Sequence, residues 1–283
     1  MKVFSDAGKF GAWCAARRKA GRRIALVPTM GCLHAGHLSL VAEARRRRAQ
    51  EIAVSIFVNP TQFGPNEDFA KYPRVPEEDL AKCRAAGVTA VFMPPPEALY
   101  SPDHSVWVVE DGALSGSLCG ARRPGHFRGV CTVVAKLFNL AKPHFAVFGQ
   151  KDFQQATIIR RMVRDLNFDL EVVMAPIVRE PSGLALSSRN LYLSDSERAS
   201  ALALSASLKD LRAALAAAKG KPLRWAPLRR RVASKLEKAG LKVDYVEAVS
   251  AEDLSPSKTL APGVAVLLAA FAGKTRLIDN AVF

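Results

Sequence analysis

Residues Ile24 to Val41 read IALVPTMGCLHAGHLSLV, and the order of residue types predicts a strand, a tight turn and the start of a helix. Ile24–Val27 is an apolar, β-favouring run, and Pro28, which has no N–H to give to a sheet, is expected to stop it. Gly31 marks the turn, and a helical pattern is expected from Leu38 to about Ala49. His34, Ala35, Gly36 and His37 fall at the junction. A helix N-terminus presents unpaired N–H groups and the positive end of its dipole, so it attracts phosphate. Gly36 leaves room for a ligand beside the backbone. Two imidazoles three residues apart can hydrogen-bond phosphoryl oxygens together. The bland alternative is two surface histidines beside a turn, and the strand–turn–helix setting weighs against it.

Working outward, strands are expected at Glu51–Val58, Val88–Met93, Phe145–Phe148 and Leu170–Met174. Helices are expected at Phe4–Gly21, from Pro76, and at Phe127–Ala141. The last of these has Val130, Val133, Val134, Leu137, Phe138 and Ala141 on one face. A further helix is expected to bury Ile158, Ile159, Met162, Val163 and Leu166. Val106–Glu110 is a short apolar run. Strands alternating with helices predict a mostly parallel sheet covered on both faces, with ligands at the carboxyl ends of its strands. After Pro176 the character changes. Ile177–Asn190 reads as an irregular polar segment, and Ser194–Glu197 as a capping box opening a long Ala/Leu-rich helix to near Gly220. Another helix at Pro227–Ala239 and strands at Val243–Val249, Val264–Phe271 and Thr275–Ile278 follow. The fold class expected is α/β: a Rossmann-like domain over 1–176 and a smaller C-terminal α+β domain over 177–283 acting as a lid.

The chain has 283 residues, 49% hydrophobic and 24% charged, enough for a real core. No apolar run reaches the roughly 18 residues of a membrane span, and MKVFSDAGKF lacks the pattern of a signal peptide. Five scattered cysteines without a CxxC pair predict reduced thiols in a cytoplasmic protein, neither a disulfide frame nor a zinc site. Cys32, inside the junction, reads as a small filler. The net charge of +15 is compatible with a nucleic-acid binder or with an enzyme for anionic substrates. Arg45–Arg48 and Arg229–Arg231 lie on helical patterns, where arginines form a solvated face, and no aromatic–basic interleaving offers a stacking platform. Specific nucleic-acid binding is therefore disfavoured.

Four segments occur in order: PTMGCLHAGH, SIFVNPTQF, FGQKDFQQ and REPSGLALSSRN. Together with Tyr72–Arg74, the GHFRGV segment and the closing Thr275–Asn280, they resemble the pantoate–β-alanine ligase family (pantothenate synthetases), within the nucleotidyltransferases that carry an HxGH signature. The resemblance implies ATP-dependent condensation of (R)-pantoate with β-alanine through a pantoyl adenylate, releasing pyrophosphate and AMP in pantothenate and coenzyme A biosynthesis. It further implies Mg2+ accompanying ATP, and a homodimer.

Residue by residue, the resemblance puts His34 and His37 on the ATP phosphates, with His37 as proton donor, and gives a catalytic set of His37, His34, Lys151 and Arg189. Donors aimed at the charge developing on the α-phosphate lower the barrier. Met30, Gly31, Gly149, Asp152, Val178 and Leu186 are implied to contact the nucleotide, Val178 against adenine. Ser187, Ser188 and Arg189 resemble a flexible phosphate-gripping loop of the KMSKS type. Asn59, Gln62 and Gln155 are implied for pantoate and β-alanine, since amides bind hydroxyl and carboxylate without adding charge. Taken alone, Asn59-Pro60 is a plain turn, Gln155 a solvent-facing helix position and Asp152 a helix cap. The chain departs from the family pattern at Ser182, Leu186 and Phe153, where an acid, a methionine and a tyrosine are common. Glu78 and Asp79 match an acidic pair of the family linked to Mg2+, but the preferred reading is first-turn helix acids; Arg123 and Tyr72 are secondary candidates. Another HxGH nucleotidyltransferase with a phosphorylated acceptor remains the alternative, and the neutral Gln62 and Gln155 argue against it.

Overall fold

Strands that are apolar on both faces must be covered on both faces, and the central strands here meet that condition. In the computed structural model, which describes residues 1–65 and 67–283, the chain divides into two compact units. The first comprises Met1–Gln150 and Gln154–Pro176. Its elements are β1 (Lys2–Phe4), α1 (Ala7–Lys19), β2 (Ile24–Thr29), α2 (Ala35–Arg46), β3 (Glu51–Ile56), α3 (Pro76–Ala85), β4 (Ala90–Phe92), α4 (Leu118–Arg122), α5 (His126–Ala141), β5 (Phe145–Gly149), α6 (Phe153–Asp165, from Gln154 on) and β6 (Glu171–Ala175). The strands form one six-stranded sheet in the order β1-β4-β3-β2-β5-β6, every pair parallel. The order reverses between β2 and β5, and ligands favour the crevice outside such a switch point. Met30 follows one of these two strands and Gln150 the other.

The helices cover this sheet. On one face Leu40, Val41 and Ala44 of α2 pack with Val27, Val54 and Val147. Elsewhere Phe10 of α1 stacks on Phe92 of β4, with ring centroids 4.5 Å apart and planes 4° from parallel. All six face residues expected for α5 are buried.

Several expectations are corrected. β2 runs through Pro28 to Thr29. Ile24 O accepts from His144 N on the β5 side, so Pro28, four residues on, faces that side too. Pairing with β5 ends at Leu26, so the missing N–H of Pro28 costs no ladder bond. β1 lies where a helix start is expected, because three residues carry no readable alternation; Phe4 ends it and packs 5.8 Å from Phe10. Leu166 lies beyond the end of α6 and is 53% exposed rather than buried. Val106–Glu110 forms no strand, and Val106 is 78% exposed.

The second unit comprises Lys151–Phe153 and Ile177–Phe283. It holds α7 (Asp195–Ala217), β7 (Leu223–Arg224), α8 (Trp225–Lys238), β8 (Lys242–Ser250), β9 (Thr259–Leu260), β10 (Val264–Ala272) and β11 (Thr275–Val282). Ser194 and Glu197 form the expected capping box at the start of α7. The antiparallel sheet β11-β10-β8 buries Val266 and Leu268 against Leu204 and Leu208 of α7 and Leu236 of α8. β7 and β9 pair as a two-residue ribbon too short to read from sequence.

Residues 177–187 form no named helix or strand, as expected, but an isolated bridge orders them. Leu186 N donates to Val178 O at 3.0 Å, Arg179 bridges Ala185, and Glu180 N donates to Leu184 O at 2.8 Å, making a tight hairpin. Among the described residues no cysteine is in a disulfide and no helix is long and apolar enough to cross a membrane. Burial, aided by the charge of Glu51, pushes the Cys14 thiol up to about 12.

Candidate active site

The turn after β2 is held from three sides. Thr29 Oγ1 donates to Ser55 O at 2.7 Å and accepts from Gly31 N at 3.2 Å. Gly31 has φ +85°, and a β-carbon there would come within 3.0 Å of both Asp79 Oδ2 and Ile56 Cγ2, so both conformation and space require glycine. Cys32 is also left-handed, with φ +49°. Two such residues in succession turn consecutive N–H groups into one concavity. Asp79 fills it, accepting from Cys32 N at 2.8 Å and Leu33 N at 2.7 Å.

α2 begins at Ala35, three residues before the expected start, because His34 is its cap. His34 Nδ1 accepts from Gly36 N at 3.1 Å, and His34 N donates to His37 Nδ1 at 3.3 Å. This is the reciprocal logic of a Ser–Glu capping box carried by two imidazoles. An Nδ1 that accepts from N–H has its lone pair there, so the neutral ring carries its proton on Nε2. The rings stack, with centroids 4.1 Å apart. Backbone anchoring at Nδ1 thus makes Nε2–H the donor edge of both rings.

Asn59 and Gln62 lie past the end of β3. Asn59 is 1% exposed. Its Nδ2 donates to Gln62 Oε1 and to Gly129 O, each at 3.2 Å, while its Oδ1 accepts from Thr61 Oγ1 and Tyr100 OH, each at 3.0 Å. The amide is engaged on every side by the protein, which makes Asn59 a support for Gln62. Gln62 Nε2 meets the thioether of Met30 at 3.3 Å, a weak acceptor. The carbonyl of Gln62 is fixed by His126 Nδ1 at 2.8 Å, and Arg123 reaches His126 Nε2 at 3.0 Å while pairing with Glu67. Burial would raise the Glu67 carboxyl, but the hydrogen bonds and charge of Arg123 outweigh it and hold it below the usual carboxylate range. Tyr72 is buried at the edge of the Phe63 ring. Gln155 is half-buried on α6, and a β-carbon at Gly149 would meet nothing within 4 Å.

The second unit gathers the other expected residues. Ser187 Oγ accepts from Arg189 N at 3.3 Å and caps a short 3-10 turn over Ser188–Tyr192. Asn190 Nδ2 donates to Glu180 Oε1 at 3.0 Å and Ala185 O at 3.1 Å, and Arg198 NH1 reaches both Glu180 oxygens at 2.8 and 2.7 Å. Arg179 forks onto the buried Asp279 at 2.6 and 2.8 Å. The serine–arginine turn therefore sits on a braced hairpin, with Val178 and Leu186 paired through the backbone at its base. Lys151 Nζ lies 3.7 Å from Asp152 Oδ2, and Lys151 O accepts from Asn280 Nδ2 at 3.0 Å.

Sequence reading took Asp79 for a plain helix acid and gave no role to His126, Tyr100 or the Glu180–Asn190–Arg198 brace. Glu77, Glu78 and Asp79 are three acids in a first turn, and nothing local shows that the last is buried under a loop 46 residues upstream. Among the described residues no group of three or more His, Cys, Asp or Glu could hold a metal.

The pantoate–β-alanine ligase family model matches residues 2–282. A pantothenate synthetase of Anaeromyxobacter dehalogenans is 56% identical over 99% of this chain and 97% of its own length. That of Myxococcus xanthus is 55% identical over 95% and 91%. Among solved structures, the pantothenate synthetase of Thermus thermophilus superposes with a TM-score of 0.91 at 41% identity, covering 100% of this chain and 99% of that one. A pantoate–β-alanine ligase of Francisella tularensis, described as complexed with β-γ ATP and β-alanine, does so with 0.83 at 31%, covering 100% and 97%.

Proposed function

The chain belongs to the pantoate–β-alanine ligase family, and we infer from that membership how the residues described above divide the work. The enzyme joins pantoate to β-alanine at the expense of ATP, through a pantoyl adenylate. A carboxylate oxygen of pantoate attacks the α-phosphorus and pyrophosphate leaves. The β-alanine amine then attacks the acyl carbon, and AMP departs with the electrons of the broken C–O bond.

In our reading His34 and His37 donate through Nε2 to phosphoryl oxygens as charge develops, and His37 supplies a proton to the leaving side. Lys151 and Arg189 balance phosphate charge, with Ser187 and Ser188 as hydroxyl donors. Met30, Gly31, Gly149, Val178 and Leu186 contact the nucleotide. Gln62 and Gln155 hold pantoate and face β-alanine, and Asn59 serves them by fixing Gln62. Residues 177–283 act as a lid that keeps water from the adenylate. Mg2+ accompanying ATP would supply positive charge beside the phosphates. Asp152, half exposed beside Lys151, is the carboxylate of this chain suited to meet it. Asp79, 1% exposed, is instead taken up by the turn, its two oxygens accepting N–H bonds. Cytoplasmic residence and a homodimer complete the proposal; light scattering of the purified protein tests the latter.

The observation that carries this reading is the anchoring of both imidazoles at Nδ1, which makes Nε2–H their donor edge. Pyrophosphate release tests it. Pantoate and MgATP alone should give a burst equal to the enzyme concentration, and β-alanine should convert it into steady turnover. A folded, ATP-binding sample that released none with both substrates would overturn the reading.

A further inference from the structure

Asp79 is 1% exposed and stands on the first turn of α3. Both its oxygens accept from consecutive backbone N–H groups of the turn that leads into His34. It also lies against Gly31, where a β-carbon would come within 3.0 Å of Oδ2. Left-handed Gly31 and Cys32 aim those N–H groups into the kind of concavity that elsewhere binds a phosphate. Here a carboxylate of the chain already occupies it.

We propose that Asp79 is a positioning residue for adenylation: it locks the turn before His34 and, by filling the turn's own anion-accepting concavity, leaves the imidazole edges of His34 and His37 as the phosphate ligands. Two consequences separate this role from plain support of the fold. Removing the carboxylate both loosens the turn and opens a competing anion site one turn of chain from the productive one. ATP is then held no more weakly, but less often with its α-phosphate against the imidazoles. The inference rests on the reading of His34 and His37 as phosphate ligands.

The test compares Asp79→Asn and Asp79→Ala in the full-length enzyme, with each rate divided by the burst amplitude so that only folded, active sites are counted. In Asp79→Asn one N–H keeps an acceptor and the other faces an amide donor. Adenylation, followed as the pyrophosphate burst, should slow about tenfold in Asp79→Asn and about 10²-fold in Asp79→Ala, the loss typical of a misplacement near 1 Å. KM for ATP should not rise. The second step, followed as consumption of pre-formed pantoyl adenylate by β-alanine, should keep its wild-type rate. Equal slowing of both steps, a raised KM for ATP with an unchanged burst rate, or a lower thermal midpoint with normal rates per active site would overturn the proposal. Absence of a burst in the wild-type enzyme would instead overturn the reading on which it rests.

Discussion

The side-chain amide of Asn59 donates to Oε1 of Gln62 across 3.2 Å, and so fixes which way round the Gln62 amide is held. Asn59→Asp keeps the shape and the Oδ1 acceptor but sets an oxygen against Gln62 Oε1 and Gly129 O. We expect a stability loss of about 2–4 kcal/mol by thermal or urea unfolding. KM for pantoate should rise at least tenfold while KM for ATP holds.

Gly129 on α5 lies under the turn that carries Gln62. A β-carbon there would sit 2.3 Å from Thr61 O, 2.5 Å from Thr61 C and 2.7 Å from Gln62 N, all backbone atoms that cannot swing aside. Gly129→Ala should cost about 1–3 kcal/mol and displace Gln62. The expected signature is again a raised KM for pantoate, and a variant indistinguishable from wild type would refute the close approach.

His34 does two jobs that a substitution can separate. His34→Ala removes the α2 cap, worth about 1 kcal/mol, as well as the Nε2 donor. His34→Asn restores a favourable cap without that donor. It should unfold at the wild-type temperature, yet adenylate about 10²-fold more slowly. If His34→Asn adenylates normally, His34 is a cap alone.

Glu67 offers a pH test of the brace behind Gln62. Burial opposes its ionisation, but Arg123 more than compensates, so its carboxyl titrates lower in the folded protein than in the unfolded chain. A depressed carboxylate stabilises above its unfolded value and loses that contribution as pH falls through the folded value. Glu67→Gln should therefore be less stable than wild type by about 1–2 kcal/mol at pH 7. The gap should close as the pH drops below about 4. A gap of constant size across that range would show that the Glu67 charge is not what Arg123 needs.

The parts of the fold that sequence makes legible are those with a long, repeated signal. α5 shows six apolar positions on one face, β2 a run of four buried residues, and α7 a capping box at its start. What stays hidden depends on partners distant in the chain. His34 does not read as a cap because imidazole is not a usual capping group, and its acceptor role exists only once His37 closes the reciprocal pair. Pro28 reads as a strand end because its missing N–H counts only if a neighbouring strand is present on that side, and there the β5 ladder has already stopped. The motifs name the chemistry-bearing residues, whereas nothing in them tells which neighbours hold those residues: Gly129 and Asn190 lie inside quoted motifs, Asp79 and Tyr100 outside them, and none shows its role locally.

The bond from Asn280 to the carbonyl of Lys151 spans 129 positions of sequence. A chain emerging from the ribosome presents the lysine long before it presents the asparagine, and domains fold in that order. Every strand of the parallel sheet has been made by Ala175, whereas the partner of the Lys151 carbonyl is Asn280, on β11. A chain stopped before Asn280 would therefore hold every strand of the sheet and still lack this bond. Strand β11 thus fixes, after the whole parallel sheet is in place, a stretch of backbone that is made 129 residues earlier.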